Sequence, residues 1–132
     1  KTKGMVIKHI LFLTLVLFLG GCALKQPVPS QSALILIKTP SMKFYDKGFI
    51  KQYPSYTQVQ IFSAGTLVLN LKIYSDRICK DTFECQSLSS FNKQYLSASY
   101  DDDFLQKLFL QKENPIYFKD SDNKIIIKVT KD

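Results

Sequence analysis

Between Tyr56 and Tyr74 apolar residues recur at every second position on both sides of a short break, Ser63-Ala64-Gly65. Before the break Thr57, Val59 and Ile61 share one side, with Gln58 and Gln60 on the other. After it Leu67, Leu69, Leu71 and Ile73 alternate with Asn70 and Lys72. A period of two is the side-chain period of an extended strand, and a helix cannot gather such a set on one face. The pattern predicts two half-buried strands joined as a hairpin. A chain with that hairpin at its centre must build its core on a sheet.

The flanking sequence extends the same theme. Residues 33–38 (ALILIK) read as a strand closed by Thr39-Pro40. Residues 42–45 and 49–52 flank Asp46-Lys47-Gly48, where Gly48 is expected to supply the positive φ of a hairpin turn. Residues 116–119 and 124–129 read as a last hairpin across Asp120-Ser121-Asp122-Asn123. That segment begins like a calcium loop but lacks the glycine and distal glutamate of one, so a polar turn is expected.

Two short helices interrupt the strands. Ser90 is expected to cap residues 91–96. Asp101, Asp102 and Asp103 precede Phe104, Leu105, Leu108 and Phe109, whose spacing makes an apolar helical face. The acidic triplet stands where a helix N-terminus favours negative charge, which is preferred over metal binding as its role. Pro115 follows as a stop. Within a length of 132 residues, enough for one domain, the expected fold is mainly β. It is a small sandwich of six to seven strands with one or two short helices inserted late; an α+β sheet with helices on one face is the alternative.

The N-terminus has a different character. Lys1, Lys3 and Lys8 precede an apolar run from Ile10 to Leu19, followed by Gly20-Gly21-Cys22. This order is a basic region, an apolar region and small residues at a cleavage site, as in a secretory signal. The run is about half the 20 residues that a spanning helix needs. Leu19-Gly20-Gly21-Cys22 resembles the lipobox of bacterial lipoproteins. The resemblance implies cleavage before Cys22, diacylglycerol on its sulfur, and commonly a further acyl chain such as palmitate on its amino group. Two or more chains hold a protein stably on a membrane. Residues 1–21 are thus expected to be a signal peptide, 22–33 the lipidated cysteine with a Pro-containing tether, and 34–132 the domain. Ala23 is not the aspartate that holds many lipoproteins at the inner membrane. The expected address is therefore the outer membrane, with the domain facing the periplasm or the cell surface.

With Cys22 acylated, Cys79 and Cys85 remain in an exported, oxidising compartment, and a disulfide between them is expected. Closing that seven-residue loop stabilises by about 2.4 kcal/mol in the chain-entropy model. No metal set can be assembled around the pair, because the one histidine, His9, belongs to the signal. Without histidine the segment after Cys22 also has no Ser-His-Asp or Cys-His constellation. No cofactor is expected beyond the covalent lipid. The same segment carries fifteen Lys or Arg against eleven Asp or Glu. One arginine and lysines scattered among Asp and Tyr do not resemble a nucleic-acid reader.

Cys22, the Cys79–Cys85 loop with Phe91-Asn92-Lys93, and Tyr100-Asp101-Asp102-Asp103-Phe104-Leu105 together give a wider resemblance. The chain is similar to small lipoproteins of epsilonproteobacteria with a variant of the immunoglobulin-like sandwich. That resemblance implies a membrane-anchored, non-enzymatic domain and supplies no catalytic residues. The expected function is a binding or scaffold module of the envelope, in adhesion or host contact. An accessory role in a secretion or assembly complex is the alternative. The candidate partner surface is Phe44, Tyr45, Phe49, Tyr53 and Tyr56, interleaved with Lys43, Lys47 and Lys51, and suited to a protein or glycan partner. A glycan hydrolase using two of Asp101, Asp102, Asp103, Asp81 and Glu84 is the enzymatic alternative.

Overall fold

The structure, a computed structural model, describes residues 10–14 and 28–132. Cys22, most of the expected signal and the first part of the tether lie outside the described residues. Residues 10–14 are helical, and among the described residues no helix is long and apolar enough to cross a membrane.

Eight strands follow: β1 (Ser30–Lys38), β2 (Lys43–Gln52), β3 (Tyr56–Ser63), β4 (Thr66–Tyr74), β5 (Arg77–Lys80), β6 (Glu84–Ser87), β7 (Ile116–Asp120) and β8 (Ile125–Lys131). Two helices, α1 (Leu88–Tyr95) and α2 (Phe104–Leu110), stand between β6 and β7. All pairings are antiparallel, in one open sheet of order β6-β5-β4-β3-β2-β1-β8-β7. The class is mainly β with helices late in the chain, compatible with a small sandwich. Every connection joins neighbouring strands except β6 to β7, which lie at opposite edges. The helical segment spans that gap. Leu105, Leu108 and Phe109 of α2 and Phe91 of α1 are buried in the same cluster as the strand residues. Ser41 at the β1–β2 turn donates to the Gln94 carbonyl, and Lys131 of β8 donates to that of Gln111.

Alternation decides the two sides of the sheet. Ala33, Ile35 and Ile37 of β1, Val59 and Ile61 of β3, Leu69, Leu71 and Ile73 of β4, and Ile125, Ile127 and Val129 of β8 are all buried. Their neighbours along each strand point the other way. Phe91, completely buried, fills the layer beneath them. Removing that much apolar surface from water is the main stabilising term.

Several local expectations are corrected. Asp46-Lys47-Gly48 does not turn. β2 runs straight through it, with Gly48 paired to Ala33 on one side and Ile61 on the other. Glycine is needed there for space. A Cβ at Gly48 would fall on the backbone carbonyl oxygen of Gln60 and 2.9 Å from Ile35 Cδ1. The true turn is at Ala64-Gly65, with φ of 50° and 80°, as the hairpin pattern implied. Leu67 does not join Leu69, Leu71 and Ile73. The register shifts after Ile61, so Ile61 faces Leu69 while Phe62 faces Leu67, leaving Leu67 and Val68 exposed.

β1 begins at Ser30, three residues before the expected start at Ala33, and the backbone of Ser30 to Ala33 pairs with Gly48 to Lys51. Residues 77–80 and 84–87, which contain the two ends of the expected Cys79–Cys85 loop, are strands β5 and β6. They bring the number to eight where six or seven were expected, even though two expected strands merge into β2. Ser87, not Ser90, caps α1, its hydroxyl accepting from the Ser90 amide at 3.2 Å. Asp103 occupies the cap position of α2 but makes no capping bond; its carboxylate lies 3.0 Å from Lys107 Nζ, one turn on.

Candidate functional site

The continuity of β2 creates the most distinctive surface of the molecule. Had the chain turned at Gly48, its lysines would divide between two strands. Run straight, the strand sets Lys43, Tyr45, Lys47, Phe49 and Lys51 on one side, facing away from the core. Phe44, the remaining aromatic of this stretch, has the opposite parity and packs against the buried cluster, so it leaves the expected surface.

Register extends this outer face across the sheet. Lys128 lies between Leu36 and Tyr117, and Leu36 in turn faces Tyr45. Lys38 faces Lys43 directly, and Ile126 lies between Lys38 and Lys119. On the other flank Gln58 separates Lys51 from Lys72, and Lys72 faces Cys79 of β5. Arg77, alternating with buried Ile78, completes a set of eight cations. At strand positions the acids Asp46, Glu84 and Asp120 all have the inner parity. Two carboxylates mark the ends of the outer face: Asp76 pairs with Arg77 at 3.0 Å, and Asp132 accepts from the Ser32 hydroxyl at 2.7 Å. Among the described residues none of the seven outer lysines is in an ion pair. Like charges directly opposite one another, as at Lys38 and Lys43, oppose folding. The fold carries this repulsion on one face while the acids at its strand positions have the inner parity.

Tyr53 and Tyr56, both expected at the partner surface, enter a stack. Their rings lie 4.5 Å apart and nearly parallel; Tyr56 is 4.9 Å from Tyr74, and the Arg77 guanidinium covers Tyr74 at 3.8 Å. Lys72 Nζ lies 5.7 Å from the Tyr56 ring. Burial, and then the neighbouring Tyr53 and Tyr74 hydroxyls, raise the Tyr56 pKa, keeping the phenol neutral through the physiological range. Phe49 packs edge-on against Phe62 at 5.9 Å. Tyr74, Arg77, Lys72, Phe62, Lys128 and Tyr117 were not anticipated in the site. Tyr74 and Lys72 carry the alternation signal of β4, but nothing in the sequence places β8 and β7 beside β1.

The disulfide is present. Cys79 and Cys85 face each other directly across the β5–β6 hairpin with Cα atoms 3.9 Å apart. At its tip Phe83 is 92% exposed. The five carboxylates of the enzymatic alternative fall into two groups. Asp81 and Glu84 flank Lys80 at 3.4 and 3.9 Å, and Asp101 to Asp103 lead into α2. A cavity of about 530 Å³ lies elsewhere, lined by Ile50, Gln52, Phe109, Leu110 and Lys131 with the start of β1, and contains none of the five. Among the described residues no three His, Cys, Asp or Glu side chains converge as a metal site.

The chain was compared with protein-family models, with curated proteins and with solved structures, and none matches.

Proposed function

We propose that this chain is an envelope lipoprotein, acylated on Cys22 and held at the outer membrane, whose β domain is a non-enzymatic binding module. The observation that carries the binding role is the segregation of charge. Eight cations and several exposed aromatic rings occupy one face of the sheet, while its strand carboxylates have the inner parity. Such a face concentrates an electrostatic field outward and steers anionic partners toward it. The tether is supported by the basic start, the apolar run and Gly20-Gly21-Cys22. A short link after Cys22 keeps the face near the membrane, where an envelope scaffold or an adhesive module works.

The tether is tested by growing cells that express the full chain with labelled palmitate. Label is expected on the wild-type chain and absent from Cys22→Ser, whose attachment to membranes also weakens. Equal labelling of the two would overturn the anchor. Protease shaving of intact and lysed cells then assigns the role. Cleavage on intact cells supports adhesion or host contact, and protection until lysis supports a periplasmic scaffold.

A further inference from the structure

The outer face has the chemistry of a surface that lies on lipid headgroups. We infer that it docks on an anionic bilayer, with Lys43, Lys47, Lys51, Lys72 and Lys128 over the phosphates and Tyr45, Phe49 and Tyr117 among the headgroups. This inference rests on the tethered reading above.

The first argument is charge. A lysine held near an anionic membrane strengthens attachment about fivefold, and the contributions of several multiply. The five lysines named have no carboxylate partner among the described residues, so their charge is available to a partner.

The second argument is shape and chemistry together. The residues named lie within six neighbouring strands, from β7 to β4, which together span roughly 24 Å across the sheet, on a scale that meets many headgroups at once. Tyr45 is 64% and Tyr117 56% exposed among lysines on that surface. Mixed tyrosine and lysine is the composition found where protein meets the membrane–water interface.

The covered rings of the stack favour lipid over sugar. A glycan would need open ring faces to stack on. Tyr56 instead lies between Tyr53 and Tyr74, and the Tyr74 ring is covered by Arg77. Within the stack, Tyr56 is thus covered on both sides and Tyr74 is shared between Tyr56 and Arg77, so neither offers a free face to a sugar.

The third argument is reach. Ser30, where β1 begins, is eight residues beyond Cys22, a span of at most about 28 Å. The domain is then confined within roughly its own width of the bilayer, which raises the effective concentration of headgroups at its surface.

The test uses the full chain reconstituted into phosphatidylcholine vesicles with or without phosphatidylglycerol. Lysine exposure is read by an amine-reactive reagent and mass spectrometry. Lys93, Lys107 and Lys112, exposed in the helical segment, serve as internal references. Labelling of the five outer lysines is expected to fall severalfold on the anionic vesicles alone and to recover in high salt. Replacing Lys43, Lys47 and Lys51 by alanine together is expected to lower the docking constant about a hundredfold, freeing Lys72 and Lys128 to react. The salt arm tests the wild-type chain even if the triple variant folds poorly. Equal labelling on both vesicles overturns the inference. So does protection by a soluble acidic polysaccharide with none by phosphatidylglycerol, which would assign the face to glycans. Loss of palmitate labelling alone would remove the anchor but leave the lipid affinity standing, so the two failures are distinguishable.

Discussion

The two sides of the sheet are made from the same strands and follow opposite rules. The inner side is aliphatic and closed, with Ile35, Val59, Leu69 and Ile127 completely buried against the helical segment. The outer side carries lysines, tyrosines and the half-buried Leu34 and Leu36, and like charges face one another across β1 and β2. Stability resides in the first, and the proposed recognition is assigned to the second. The difference teaches that a strand position can be free of a folding role and still be strictly placed, because the inner residues on either side of it set its direction.

The comparison breaks most sharply at Phe91. Replacing this fully buried ring by alanine is expected to cost about 3–5 kcal/mol in urea or thermal unfolding, through lost burial and a cavity beneath the sheet. A cost under 1 kcal/mol would show that α1 does not seal the inner side. Gly48→Ala comes next, with an expected loss of about 1–3 kcal/mol as β2 is pushed from β3, since the new methyl meets the Gln60 backbone. The readout is the unfolding midpoint together with amide-exchange protection of Phe49 and Gln60.

A smaller, pH-dependent effect belongs to the rim of the inner side, where the rings of Tyr100, Phe104 and Phe118 cluster. The Tyr100 hydroxyl donates to the Asp120 carboxylate, which also accepts from the Asn123 amide and side chain. Asn123 and then Tyr100 lower the Asp120 pKa below its ordinary 3.8. Burial, and then the Asp120 carboxylate, raise that of Tyr100 above its ordinary 10.0. Asp120 therefore contributes stability that is present above pH 3.8 and lost as pH falls toward its folded pKa. Tyr100 contributes stability that is present below pH 10.0 and lost as pH rises toward its own. Tyr100→Phe should flatten both limbs of a stability-against-pH curve and leave the neutral plateau lower; unchanged limbs would remove the pair from the account.

The smallest effect sharpens the contrast. Alanine at Lys43, Lys47 and Lys51 should change stability by no more than about 0.5 kcal/mol per site, and favourably if their repulsion is felt. Unfolding curves that nearly overlay the wild type, beside the loss of docking described above, would separate the two sides cleanly. A large destabilisation would show that the lysine stems hold the sheet together.

Legibility followed how local each signal was. The hairpin from Tyr56 to Tyr74 was readable because alternation and a two-residue turn are contained in adjacent residues. Cys79 and Cys85 were paired correctly for the same reason, lying only six residues apart. The segment around Gly48 misled because Asp-Lys-Gly carries a turn signature, whereas its glycine answers to Gln60 and Ile35 on other strands. Leu67 misled because a bulge changes parity without any mark in the alternating pattern. Of the candidate surface, Tyr45 and Phe49 lie on the outer side and Phe44 packs against the core, a parity that the expected turn in β2 concealed.

By itself the sequence determined that the body is mainly β, that its central hairpin turns at Ala64-Gly65, and that the helices come late. Those are properties of period and turn chemistry, which act over a few residues. Only the tertiary structure decided that β8 lies against β1, that β2 runs unbroken, and that eight cations from six strands share one face. Strand order and register are set by how the buried side closes, and the outer side is whatever that closure turns toward the solvent.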